Sequence, residues 1–317
     1  EKPDMWQHVF KNKMKAFVQS QSSSVRLMVS PDWDGAVSSV LFKEFMRRTY
    51  PHVPCTVLGT YDCEQMTVTA GSSVEGCLFI DLDLPLDGCV HIGQHLIGVP
   101  LSNSMSFNPN AFFNNMETWT KYPFGTAQLI YYGLLDEEPP HGPLAEVSLA
   151  HADSTHLNCK KYKPNCKKWA ARMFPEAEYM ERMLDGRYQK DSLESHTALM
   201  ELVEPFVTHK KKKRKRHEET GGWGRCTKRQ TAKDFNDFVH LLSIAAHAFG
   251  LEPPTFEGKT EDAAVIWSGR KKVIPLGEAA AEAGLEAYLR KKNAKSHAIV
   301  SSHMLSLTLE DLEAANY

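Results

Sequence analysis

Two aspartates lie one residue apart in the segment Ser30–Ser39, which reads Ser-Pro-Asp-Trp-Asp-Gly-Ala-Val-Ser-Ser. Asp32 and Asp34 follow the apolar run Val25–Val29, which is typical of a buried strand, and they precede apolar residues at helical spacing. Two carboxylates at close range repel each other, so this arrangement is favourable around a cation. A second interpretation stays open, in which the segment is a solvated Asp-Gly turn and Asp34 caps the helix.

Acidic side chains follow apolar runs at two further positions. The run that begins at Gly76 ends at Asp81, with Asp83 close behind, and Asp153 comes just after Val147–Ala150, which we expect to be a short strand. Ligands of open parallel sheets bind beyond the carboxyl ends of the strands. The positions of these acids therefore predict one site along one edge of a sheet.

Apolar runs and helical patterns alternate along the first half of the chain. We expect helices at 5–18, 35–49 and 124–135, with strands at 25–30 and 55–58 between the first two of these and after the second. This order predicts an α/β fold with a doubly wound, mostly parallel sheet.

The second half of the chain has a different composition. Residues 167–206 are helical in pattern, 234–250 form another helix, and 264–267 and 297–300 are strand candidates on either side of an Ala-rich helix at 277–291. We therefore expect three segments: a large domain at 1–160, a helical connector at 161–230, and a second, smaller α/β domain at 231–317.

The charge of the chain is balanced except at one run. The net charge is −2 over 317 residues, yet Lys210–Arg216 contains seven consecutive cations. Such a run can neutralise the phosphates of a nucleic acid, serve as a nuclear address, or form a solvated loop, and these interpretations stay open. No apolar stretch is long enough to span a bilayer, so a membrane is not an expected partner.

The seven cysteines have no regular spacing and indicate free thiols in an intracellular, reducing compartment, with the nucleus and organelles among the candidates. His151, His156, Cys159 and Cys166 lie close together in sequence, but their spacing matches no standard zinc finger. The alternative is a core thiol pair beside two imidazoles.

Taken together, these motifs resemble the DHH phosphoesterase superfamily, which includes RecJ-type exonucleases, oligoribonucleases and manganese pyrophosphatases. The resemblance covers about residues 20 to 160. The matching segments, in family order, are Pro31–Ser39, Leu78–Asp81, Gly93-Gln94-His95 at the Asp-His-His position, Gly125–Tyr131, and Asp153-Ser154-Thr155.

The resemblance implies metal-dependent hydrolysis of a phosphoester or phosphoanhydride in a nucleotide or short nucleic acid. It implies Mn²⁺ or Mg²⁺ bound by Asp32, Asp34, Asp81 and Asp153, with Asp83 as a reserve ligand. Asp34 and His95 are the candidate catalytic residues, and His95 also matches the histidine that contacts substrate phosphate. For substrate binding we further consider Gln94 and the cations Lys210, Arg214 and Arg225.

Three residues depart from the family pattern. The histidine that usually precedes the first aspartate is Met28 here, and the Asp and first His of the name-giving motif are Gly93 and Gln94. A thioether is a poor ligand for a hard cation. Two hypotheses follow: an active phosphoesterase, and a catalytically degenerate DHH-type domain that is a structural, nucleic-acid-binding or partner-binding subunit of a larger assembly.

Overall fold

The computed structural model describes residues 5–69, 71, 73–136, 142–175, 177–185, 188–208, 230–281 and 284–310. The strands are β1 (Val25–Val29), β2 (Cys55–Tyr61), β3 (Gln65–Val68), β4 (Leu78–Ile80), β5 (Val90–Ile92), β6 (Thr255–Phe256), β7 (Ala264–Pro275), β8 (Ala294–Ser301) and β9 (Met304–Glu310). The helices are α1 (Met5–Ser20), α2 (Trp33–Thr49), α3 (Pro109–Phe112), α4 (Thr126–Ile130), α5 (Pro143–His151), α6 (Thr155–Lys161), α7 (Lys163–Met173), α8 (Glu178–Asp185), α9 (Tyr188–Asp191), α10 (Leu193–Val203), α11 (Phe235–Phe249), α12 (Leu276–Ala280) and α13 (Leu285–Lys291). No helix in these ranges is both long enough and apolar enough to cross a membrane.

The chain divides into two compact units, each assembled from several segments. The first unit comprises Glu1–Gln7, Pro31–Tyr50 and Pro123–Pro254, and the second comprises His8–Ser30, Pro51–Tyr122 and Thr255–Tyr317. The three-segment division expected from composition stays a prediction.

The second unit contains a nine-stranded mixed sheet. Its order is β5-β4-β1-β2-β3-β7-β9-β8, with β6 beside β2. Strands β1, β2, β4 and β5 run parallel, whereas β3, β7, β8 and β9 join through antiparallel pairs. The central strands form because their side chains are apolar, and Leu27, Met28 and Val29 of β1 are fully buried. The expectation of a mixed α/β chain is thereby confirmed.

The described residues of the first unit form helices and the turns between them, and no named strand. Helix α2 begins directly after Asp32, whose side chain accepts the backbone N–H of Gly35 at 3.0 Å and so caps the helix. The indole N–H of Trp33 donates to the backbone oxygen of Ser148 in α5 at 3.1 Å. Helix α4 continues into a π-helical turn at Tyr131–Leu135, so the helix expected at 124–135 is present in two parts.

The prediction of a strand at Val147–Ala150 is wrong, because these residues belong to α5. A short apolar run fits a buried strand and a buried helix equally well. Pro143 in the first turn favours the helix. Asp153 therefore follows a helix, in a turn where Asp153 and Ser154 have left-handed backbone conformations with φ of 44° and 56°.

Candidate functional site

Asp34 is the most buried acid of the described part of the first unit, with 3% of its surface exposed. Its Oδ2 accepts the backbone N–H of Thr126 and its Oδ1 accepts that of Ala127, both at 2.8 Å. Ser38 Oγ donates to Oδ1 at 3.3 Å. These two amides belong to the first turn of α4, where backbone donors have no partner within the helix. Asp34 therefore caps α4 from a distant part of the chain.

Three acids of the first unit lie within electrostatic range of one another: Asp32, Asp34 and Asp153, which we call the acid triad. Burial is the main reason that the pKa of Asp34 is raised to about 7, and the charges of Asp32 and Asp153 raise it further, against the lowering effect of the two amides. The triad brings together three of the four predicted metal ligands. Burial and the two neighbouring charges therefore both disfavour the ionised form of Asp34.

The backbone around Asp34 leaves no room for another side chain. A Cβ atom at Gly125 would lie 2.8 Å from Asp34 Oδ2 and 2.9 Å from the Cβ of Ala152. The N–H of Gly125 donates to Thr155 Oγ1 at 3.0 Å, and that hydroxyl donates to the backbone oxygen of Ala152 at 2.7 Å. The segments around Asp34, Gly125 and Thr155, which resemble family motifs, thus pack tightly through contacts that involve the main chain.

Asp81 and Asp83 belong to the second unit and have different environments. Asp81 follows β4 as predicted, is buried, and has a left-handed backbone with φ of 56°. Asp83 accepts three hydrogen bonds: from the N–H of His95 at 3.0 Å, from His95 Nδ1 at 3.1 Å and from Asn108 Nδ2 at 2.8 Å. His91 Nδ1 lies 3.3 Å from its Oδ1. Asp83 is therefore a hydrogen-bonded core carboxylate.

The two imidazoles stabilise the charge of Asp83. Burial alone would raise the pKa of this carboxyl group, but the neighbouring rings of His91 and His95 outweigh burial and hold the pKa well below its usual range. The sequence analysis did not predict that Asp83 contacts His91 and Asn108. The signal in the sequence was Asn108-Pro109, a typical helix start, and Asn108 does cap α3.

Asp83 orients His95. Because Nδ1 faces a carboxylate, this nitrogen carries the proton, and Nε2 is the ring atom left for another partner. The side chain of His95 is 30% exposed. It is therefore accessible and held in one orientation, as a proton-transfer or phosphate-contacting residue requires. Gln94 is buried, and its backbone oxygen accepts Asn110 Nδ2 at 2.8 Å.

Gly93 and Met28, which differ from the motifs that the sequence resembles, are both closely packed. A Cβ atom at Gly93 would lie 2.3 Å from Asp83 Oδ2, so the carboxylate of Asp83 fills the space of any side chain at that position. Met28 is completely buried in an apolar group with Leu58, Tyr61 and Phe79. Both positions are thus integrated into the packing of the second unit.

The predicted metal ligands do not form a preformed cation site among the described residues. Within the part of the chain that the structure describes, no three or more His, Cys, Asp or Glu side chains converge to hold a metal ion. Asp34 and Asp83 direct their oxygens at protein donors instead. Binding of Mn²⁺ or Mg²⁺ by Asp34 or Asp83 would therefore require these oxygens to leave their present hydrogen-bond donors.

Of the residues considered for zinc, His151 lies beside both His156 and a further histidine, His196, and Cys159 lies beside Cys166. His151 Nε2 lies 2.6 Å from His196 Nδ1, and the rings of His151 and His156 are 4.8 Å apart. Burial lowers the pKa of His156 to about 4. A hydrogen bond with Cys166, together with burial, raises the pKa of the Cys159 thiol, whereas zinc binds the thiolate.

Some predicted residues lie outside the described residues, namely Lys210, Arg214 and Arg225 with the basic run around them. Each described cysteine is a thiol rather than half of a disulfide.

Neither a scan against protein-family models nor a search of curated proteins found a match for this chain.

Proposed function

We propose that this chain is a DHH-type domain that no longer hydrolyses phosphoesters and is a structural or nucleic-acid-binding subunit of a larger assembly. The observation that carries the proposal is the engagement of Asp34, which directs both carboxylate oxygens at the amides of Thr126 and Ala127. An acid in that role is retained for folding even when catalysis is lost. This explains why the motif-like acids persist while the histidine ligands do not.

The replaced positions support the same proposal. Met28 contributes to the apolar core, and Gly93 accommodates the carboxylate of Asp83. Restoring the family residues at these positions would require the surrounding packing to move. The proposal includes two further points: that the sheet is doubly wound as in the DHH superfamily, and that the chain is a relative of that superfamily.

A second candidate is the metal-dependent phosphoesterase, acting on a phosphoester or phosphoanhydride of a nucleotide or short nucleic acid. The observation that favours it is the acid triad, in which Asp32 and Asp153 contribute to raising the pKa of the buried Asp34 to about 7. Like charges at short range are stabilised by a cation, and carboxylates suit Mn²⁺ or Mg²⁺. In that function the triad would hold the metal, which would supply Lewis-acid chemistry.

One experiment separates the two candidates. The purified chain is incubated with MnCl₂ or MgCl₂ and either bis(p-nitrophenyl) phosphate or a short single-stranded RNA, and Mn²⁺ binding is measured by calorimetry. Asp34→Asn and Asp153→Asn are compared with Asp191→Asn, an exposed acid of α9 that is the matched control.

The non-hydrolytic proposal predicts the same background turnover in all four proteins and no Mn²⁺ binding that depends on the triad. Metal-dependent turnover that is lost in Asp34→Asn and Asp153→Asn, but kept in Asp191→Asn, would overturn it. That result would establish the phosphoesterase.

A further inference from the structure

The second unit contains a cavity that neither proposed function uses. It has a volume of about 370 Å³ and lies between α1 and residues 99–116, so we call it the 99–116 cavity. Its lining includes Lys13, Phe107, Asn108, Ala111, Phe112 and Met116. A volume of this size lies within the range of small-molecule sites, which are typically apolar with a few polar groups.

The apolar wall of the cavity is aromatic. The ring of Phe107 stacks on Phe10 of α1 with centroids 4.4 Å apart, and Phe112 lies 5.7 Å from Phe107. Met116 has 57% of its surface exposed. The cavity therefore combines an aromatic wall, buried at Phe107 and half-buried at Phe112, with an adaptable thioether that reaches solvent.

The wall is held in place by hydrogen bonds. Asn108 donates to Asp83 Oδ1 at 2.8 Å and to the backbone oxygen of His95 at 2.9 Å, while its Oδ1 accepts the N–H of Asn110 at 2.9 Å. These bonds fix the start of α3, and with it Ala111 and Phe112. A pre-formed wall lowers the entropic cost of binding a ligand.

Among the described residues that line the cavity, Lys13 is the only charged one. Residues 99–116 contain no Asp, Glu, Lys or Arg, so no carboxylate from that segment offsets the ammonium group. Lys13 Nζ donates to the backbone oxygen of Ser104. Its partial burial lowers the pKa of the amine, because desolvation disfavours the charged form. An anion in the cavity would offset this desolvation.

We propose that the 99–116 cavity binds a small molecule with an aromatic body and one anionic group, the ring lying against Phe107 and Phe112 and the anion pairing with Lys13. The aromatic wall and the single positive charge of the lining favour this class over a neutral or cationic ligand. The proposal is independent of whether the acid triad binds metal.

The test uses two fluorescent probes that differ in one group. Anilinonaphthalene sulfonate has an aromatic body with a sulfonate, and phenylnaphthylamine has nearly the same body without it. Both are titrated into the full chain and into Lys13→Met, which keeps the length of the side chain and removes its charge. Lys15→Met, an exposed lysine of the same helix, is the matched control. Ala111→Phe fills the cavity, and thermal unfolding of each variant establishes that it is folded.

We expect Lys13→Met to weaken binding of the sulfonate by about tenfold, as removal of one charge-assisted hydrogen bond does, with little change for the neutral probe. Lys15→Met should leave both affinities unchanged, and Ala111→Phe should abolish binding of both probes. The proposal is overturned if the sulfonate does not bind, if Lys13→Met weakens both probes equally, or if the folded Ala111→Phe variant binds them as before. Because the affinity ratio is measured within one variant, a general loss of folding cannot imitate the expected result.

Discussion

The carboxylate of Asp34 accepts the backbone N–H of Thr126 at 2.8 Å, although 92 residues of sequence separate the two. The neighbouring N–H of Ala127 donates to the other oxygen of the same carboxylate. A residue of the first turn of α2 thus completes the first turn of α4. This relationship gives the Asp-x-Asp-Gly segment a role in folding that does not require a metal.

Removing the Asp34 carboxylate should destabilise the metal-free protein. Asp34→Ala leaves two buried N–H groups without an acceptor, and we expect a loss of about 2 to 4 kcal/mol in the free energy of unfolding. Asp32→Ala removes the cap of α2, which costs about 1 kcal/mol, and also removes a charge that repels Asp34, so its net cost should be smaller than that of Asp34→Ala. Urea denaturation of the two variants, with metal chelated, measures the difference.

An increase in the free energy of unfolding on Asp34→Ala would change the preferred function. If Asp34→Ala stabilises the metal-free protein, repulsion within the acid triad exceeds the value of the two hydrogen bonds. The acid would then be retained at a cost to stability, as a cation ligand is, and the phosphoesterase would become the preferred function.

Gly93 should not tolerate a side chain. The added methyl group of Gly93→Ala would lie 2.3 Å from Asp83 Oδ2 and would displace a carboxylate that holds His95 and Asn108. We expect a loss of about 3 kcal/mol, the usual range for overpacking combined with a broken buried network. Gly277→Ala is the control, because nothing lies within 4 Å of its Cβ position, and in helix α12 it should be neutral or stabilising. Equal stability of both variants in thermal denaturation would contradict the tight packing of Asp83 against Gly93.

The first unit should lose stability in mild acid through His156. Burial lowers the pKa of His156 to about 4 in the folded state, whereas an unfolded histidine titrates near about 6.5. The unfolded chain therefore binds the proton first as the pH falls. The contribution is absent above about 6.5 and grows to a loss of about 3 kcal/mol by pH 4.

A single variant isolates this effect. His156→Asn keeps an N–H donor for the backbone oxygen of Ala150, which His156 Nδ1 contacts at 2.9 Å, and it does not titrate. The unfolding free energy of this variant should vary less between pH 6.5 and 4 than that of the parent chain, while His52→Asn, at an exposed site, should leave the slope unchanged. Parallel pH profiles for all three proteins would exclude His156 as the source.

The basic run Lys210–Arg216 should contribute to RNA binding if the chain is a nucleic-acid-binding subunit. Replacing the run with alternating Gly and Ser should weaken binding of a short single-stranded RNA. The slope of log K against log salt concentration should fall in magnitude by about 0.7 for each phosphate that the protein no longer neutralises. Fluorescence anisotropy at several salt concentrations measures both quantities. An unchanged affinity and slope would leave the run as a solvated segment or an address.

Local patterns were sufficient for much of the secondary structure. The helices near 5–18, 35–49 and 234–250 and the strands at 55–58, 264–267 and 297–300 are present, because periodic burial and turn residues act within a few positions. The strand expected at Val147–Ala150 is a helix, since four residues are too few to distinguish a helical period from a strand period. Asp81 lies at the end of β4 as expected, but the neighbouring Asp83 acquires its partners from residues 91–108.

The sequence by itself determined where acids follow apolar segments, that the chain mixes strands and helices, and that Met28, Gly93 and Gln94 differ from the motifs of the superfamily that it resembles. Only the tertiary structure decided what these acids contact. Asp34 meets the amides of Thr126 and Ala127, and Asp83 occupies the space beside Gly93, through contacts between segments far apart in sequence. The physical reason is that a carboxylate serves a metal, a helix terminus or an imidazole with the same two oxygens. Its role is set by the donor that folding brings within hydrogen-bond distance.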